Sequence, residues 1–218
     1  MIRYITSALG VTFVEQMAAL LIGSIMMISF YGFFRSEIYN SLILEVKTGV
    51  LEDARGALDI MIRDLKNAGS WGDGGGSPPA EIGGTDDPSN DADTVCNRVY
   101  DASPGMIHVQ MDLNGNGNCN DTDPRESVRY ELTGPTSTCP GAYIIRRNGD
   151  CLVPNVVPAA GGKIFTFFDA SGTDLGNAPA REAIKRVRIE FAVQAKNPDP
   201  KLAGQINSSL SSSVEFRN

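Results

Sequence analysis

The order of apolar and polar positions divides the chain into two unlike parts. From Met17 to Phe34 the run MAALLIGSIMMISFYGFF carries no charged residue, and extending it back to Val11 adds only Glu15. As a helix, residues 11–34 would be about 36 Å long, enough to cross a hydrocarbon layer of about 30 Å. The run is too long for the apolar core of a cleaved secretory signal, and it ends in an aromatic-plus-Arg border. Beyond Arg35 the pattern becomes amphipathic. Ile38, Leu42, Val46, Val50, Ala54, Leu58, Ile62 and Leu65 recur at spacings of three and four, with charged residues between them. The spacing predicts one helix from Val11 to Ala68, closed by Gly69, wholly apolar at first and half-buried later. Gly32, Gly49 and Gly56 predict bending or local melting within it.

Residues 70–105 are rich in Gly, Pro, Asp and Ser and read as a long irregular connection, with Trp71 a packing plug beneath a loop. From residue 106 the period becomes two. The predicted strands are Met106–Met111, Ser127–Leu132, Ala142–Arg147, Lys163–Phe168, Ala183–Ala195 and Ser209–Phe216. Such strands make an antiparallel sheet with one polar face, and the second half of the helix is the only long element able to cover the other. The expected class is α+β: a long N-terminal helix packed on an antiparallel sheet with long loops.

Composition narrows function chiefly by exclusion. The 218 residues are 42% hydrophobic and 21% charged, an ordinary globular balance with one appendage. The net charge of −7 argues against a nucleic-acid partner. Arg181, Lys185, Arg186 and Arg188 accordingly read as a solvated strand face. There is one histidine, His108, and no nucleophile, zinc or phosphate-loop motif, so the expectation is a non-enzymatic protein in which His108 is structural. Four cysteines, Cys96, Cys119, Cys139 and Cys151, form no CxxC pair and lie in loop-rich sequence beyond the apolar run, which points to disulfides in an oxidising compartment. Three pairings are formally open. Cys139 and Cys151 flank one strand and its Asn148-Gly149 turn, which favours Cys139–Cys151 with Cys96–Cys119.

One stretch carries metal chemistry. Asp112-Leu113-Asn114-Gly115-Asn116-Gly117-Asn118-Cys119-Asn120-Asp121-Thr122-Asp123 follows the spacing of an EF-hand calcium loop, with Asp where Glu usually closes it. Asp112, Asn114 and Asn116 would offer side-chain oxygens, Asn118 a carbonyl, and Asp123 the closing carboxylate, with Asp121 or Glu126 able to replace it. The flanks read as strands, so calcium would stabilise a surface loop at about 10⁻⁴–10⁻³ M. The competing reading is an Asn/Gly-rich turn that binds nothing.

Glu15 is the remaining anomaly. A carboxylate in an apolar run needs a partner. Cleavage after Gly10 would supply one, by giving Val11 a free amino group about one helical turn away. The stretch GVTFVEQMAALLIGSIMM, residues 10–27, resembles the processing signal and hydrophobic helix of type IV prepilins and pseudopilins. The segment LEDARGALDIMIRDLKNAGS, residues 51–70, is similar to the PilW-type minor pilins and, more loosely, to J-type minor pseudopilins of type II secretion. In it, Arg55, Arg63 and Asp64 read mostly as solvated helix-surface charges.

The resemblance implies a leader (residues 1–10), a spine helix (11–69), an irregular region (70–105) and a sheet domain (106–218). It further implies a prepilin peptidase acting at Gly10 and Val11, methylation of the new terminus, and use of Glu15 in docking to other minor and major pilins. The protein would sit as a single-pass inner-membrane precursor with a periplasmic domain, then in an extracellular pilus near its tip. A secretion pseudopilin and a membrane-tethered calcium-dependent binding protein are the alternatives.

Overall fold

The computed structural model describes residues 12–70, 98–115, 123–199 and 204–216. The amphipathic and apolar runs form a single helix, α1, Phe13–Asn67. It is uninterrupted, so the local melting expected at Gly32, Gly49 and Gly56 is absent. No atom lies within 4 Å of where a Cβ would stand at any of the three, so nothing presses on the backbone there. The helix stops where expected. Gly69 has φ +74°, which a side chain would strain, and a Cβ there would stand 3.0 Å from Arg98 Nε.

Eight strands follow: β1 Val99–Ser103, β2 Met106–Gln110, β3 Ser127–Thr133, β4 Tyr143–Arg147, β5 Asp150–Pro158, β6 Phe165–Phe168, β7 Arg186–Lys196 and β8 Gln205–Glu215. They form one antiparallel sheet in which β1 to β5 are sequential neighbours. β5 and β6 share one side of β7, pairing with Phe191–Val193 and Arg186–Ile189 respectively, while β8 lines the other side along its full length. The α+β class is thus as the sequence predicts. Two strands were not expected. β1 falls within the stretch read as irregular, because it is only five residues long and its register shifts between Val99 and Asp101. β5 contains Pro154 and Pro158 and an Asn155 at φ +53°, which breaks the period-two pattern.

Only the last third of α1 enters the core. Ala54, Ala57, Leu58, Met61 and Leu65 are buried against the inward residues of the sheet, among them Ile107, Val109, Val128, Val187, Ile189, Phe191 and Val193. The helix packs chiefly on β8 and β7. Its final turns then reach β3 and β4 through Asp64, and the Gly69 N–H donates to Gln110 O of β2 at 2.8 Å. The helix therefore runs across the strands from β8 toward β2. Residues 12–49 bury nothing; Phe13, Val14, Leu20, Met27 and Ile28 are each more than two-thirds exposed.

Candidate functional site

Three constellations carry the chemistry singled out above. At the start of α1, Thr12 and Glu15 form a reciprocal cap. The Glu15 N–H donates to Thr12 Oγ1 at 3.3 Å, while Thr12 N–H and its hydroxyl both donate to Glu15 Oε2 at 3.0 Å. The spacing Thr-x-x-Glu is that of a capping box, a local signal in the sequence that had not been read as one. Glu15 thus has a partner within its own helix. Gly10 and Val11, the expected cleavage pair, lie outside the described residues.

The second constellation is the loop after β2. Asn116 and Asn118 lie outside the described residues, but both ends of the loop are defined. Asp112 is 1% exposed, and its Oδ1 accepts from Gly115 N–H at 2.6 Å. A further carboxylate that turns toward the loop is that of Glu126, which is fully buried. Its Oε1 accepts from the N–H groups of Leu113 and Asn114 at 2.9 and 2.8 Å, and its Oε2 from Asn114 Nδ2 at 3.2 Å. Asp123 holds Arg125, accepting from Nη2 at 2.6 Å and from Nε at 2.9 Å. Hydrogen bonds from the Arg125 side chain hold the Asp123 carboxyl well below its ordinary range, at about 2. No three His, Cys, Asp or Glu residues are gathered in metal-holding geometry among the described residues. The loop is tied to its surroundings by the backbone: Asp112 N–H donates to Ser70 O, and Met111 N–H to Glu126 O. Asn148, at φ +48° in the β4–β5 turn with Gly149 at φ +89°, donates through Nδ2 to Pro124 O and Ser127 O.

The third constellation corrects an expectation. Asp64 is not a solvated surface charge: it is 8% exposed and accepts from Tyr130 Oη at 2.6 Å and Arg147 Nε at 3.0 Å. Burial, and then the bond to Asp64, push the Tyr130 phenol far above its ordinary range. This trio joins α1 to β3 and β4, and its members are too far apart in sequence for any local motif to reveal it. Cys139 and Cys151 form the expected disulfide, with Cα atoms 5.8 Å apart. Cys96 and Cys119 lie outside the described residues, as does Trp71.

Among the described residues, His108 meets Ser127 and Tyr100. Its Nε2 is 2.8 Å from Ser127 Oγ, and its ring meets Tyr100 edge-on at 4.8 Å. In the basic cluster Arg188 is exposed and Arg181, Lys185 and Arg186 are half-exposed, in keeping with a solvated strand face. Arg186 and Arg188 stack on Phe168 at 4.7 and 5.3 Å, and Arg181 lies over Tyr100 at 5.8 Å.

The fold and these sites define an α+β protein with one N-terminal helix long and apolar enough to cross a membrane and a disulfide-bearing sheet domain on its far end. Compared with known proteins, the chain matches no protein-family model, no curated protein and no solved structure.

Proposed function

We propose that this chain is a non-enzymatic filament subunit of the type IV pilin kind, closest to the PilW-type minor pilins. It is made as a single-pass inner-membrane precursor with its sheet domain in the periplasm, and cut after Gly10 by a prepilin peptidase. It then enters a pilus with other minor and major pilins, near the tip. The observation that carries this reading is α1: one continuous helix exposes apolar side chains over its first third and buries a stripe of its last third in a separate domain. Such a rod is equally suited to a bilayer and to a bundle of like helices. Glu15, capped by Thr12, stands where a new amino group on Val11 of its own or a neighbouring chain could meet it.

Mass spectrometry of the mature N-terminus tests processing. A chain beginning at methylated Val11 supports the reading; an intact chain beginning at Met1 favours a simple membrane tether. Glu15→Gln is expected to leave membrane insertion intact and to cut recovery in sheared filaments at least about tenfold, because a buried charge then lacks its match. Unchanged recovery would remove the assembly role. Deleting the gene separates a pilus from a secretion pseudopilus by which is lost, surface fibres or secreted protein.

For the loop we propose weak calcium binding, with Asp112, Asn114 and Glu126 as its described donors. Titration calorimetry is expected to show binding at about 10⁻⁴–10⁻³ M that Glu126→Gln abolishes. The absence of heat at millimolar calcium would leave the loop a hydrogen-bonded turn.

A further inference from the structure

The free side of β8 is unlike an ordinary sheet edge. Phe216 N–H donates to Lys185 O and Asn197 N–H to Gly204 O, on the register that pairs Glu215 with Arg186 and Gln205 with Lys196. Hydrogen-bonded pairs in an antiparallel ladder recur at every second residue. The even-numbered residues from Ile206 to Val214 therefore bond β7, while Asn207, Ser209, Ser211 and Ser213 aim their N–H and C=O groups away from it. Among the described residues no backbone hydrogen bond reaches that side. Proteins guard such edges with charge, proline, bulges or brevity. From Gln205 to Val214 there is no charged residue and no proline, and the register is unbroken over eleven residues. β1, at the other end of the sheet, is short, bulged and carries Asp101.

A second observation lies on α1. Its core-facing side holds Ala54, Ala57, Leu58, Met61 and Leu65. At about 100° per residue, Tyr39, Ile43, Val46 and Val50 fall on that same side. The helix packs chiefly on β8 and Val50 already touches the core, so half-buried Val46, about 6 Å further along the axis, stands over the space beside the free edge, with Ile43 and Tyr39 further out. A strand added about 4.8 Å beyond β8 would lie beneath it.

We propose that the β8 edge, flanked by Val46 and Val50 of this stripe, receives an extended strand of a partner protein whose alternate side chains are apolar. Only a strand matches the alternating N–H and C=O groups, and only apolar alternate residues match the stripe. A second copy pairing β8 with β8 would do so about a two-fold axis normal to the sheet. That would point the two α1 helices in opposite directions, which a shared bilayer forbids; this clause rests on the membrane anchoring proposed above. Within this chain, residues 71–97 are rich in Gly, Pro and Asp and offer only Trp71, Ile82 and Val95 as large apolar side chains.

The probe is a fluorescent peptide copying β7, RVRIEFAVQAK, added to the full chain in detergent micelles. Saturable binding is expected, absent with a scrambled peptide and weakened about tenfold or more by Ser211→Pro, which removes an outward N–H and leaves the β7 ladder intact. Val46→Asp, on the helix, is expected to weaken it as well. Hydrogen exchange provides the second readout. The amides of Asn207, Ser209, Ser211 and Ser213 should exchange fast alone and slowly with peptide, while those of Ser208, Leu210 and Ser212 stay protected throughout. Failure to bind, or no peptide-induced protection, overturns the proposal. Protection without peptide that grows with protein concentration would assign the edge to a second copy, and protection at all dilutions to this chain's own segment; either overturns it. None of these readouts depends on cleavage after Gly10, so they stand or fall apart from the pilin reading.

Discussion

At the scale of single residues, the buried polar groups set the sharpest expectations. His108 sits between β1 and β3, and desolvation first, then the neighbouring Arg129, lowers its pKa from 6.5 to about 4, against the opposing pull of Asp101. A depressed folded-state value means that the folded protein resists the proton the unfolded chain would take up at pH 6.5. Stability is therefore complete above about pH 6.5 and declines as pH falls toward 4. Urea unfolding at pH 7 and pH 4.5 is expected to show His108→Gln losing less than the parent, by on the order of 2 kcal/mol. Parallel losses would mean that the ring titrates freely. The same logic of burial explains how Glu126 is held against the calcium-type loop. Asp123 has Arg125 two residues away and exposed, whereas Glu126 has two backbone amides within reach and no water.

At the scale of elements, the contact between α1 and the sheet depends on Asp64. Asp64→Ala would leave Tyr130, fully buried, and Arg147, partly buried, without their acceptor. The expected cost is about 2–4 kcal/mol, with a smaller loss for Asp64→Asn, which keeps an oxygen for Tyr130; chemical denaturation of the two variants checks this. Equal and small effects would make the trio incidental. The elements also show how much was legible beforehand. α1, β7 and β8 are long and strongly periodic, and their existence and type follow from the pattern alone; the burial expected from Ile38 onward does not, since Ile38 and Leu42 are exposed and α1 meets the core only from Val50. β1 and β5 were hidden because a bulge, two prolines and a left-handed Asn155 disturb alternation within a few residues. Asp64 was misread because its charge fits a solvated helix position, and the residues that neutralise it lie 66 and 83 positions away. The disulfide, bridging residues 12 apart around one hairpin, was local enough to infer.

At the scale of the whole molecule, the apolar rod and the sheet domain are independent. No residue from Thr12 to Gly49 is buried, so a chain starting at Glu37 is expected to fold without detergent, with a thermal midpoint within about 3 °C of the parent. Circular dichroism and gel filtration measure both, and a soluble aggregate lacking a cooperative transition would show that the rod supports the domain. Between Arg35, at the border of the apolar run, and Val50, the first residue packed on the core, lies a stretch of helix about 22 Å long. It acts as a stalk. If the rod is held in a bilayer, the domain hovers above the lipid headgroups by roughly its own thickness, with β8 on its underside. A partner rooted in the same membrane would meet that side from below, through a gap tall enough to admit a small folded module.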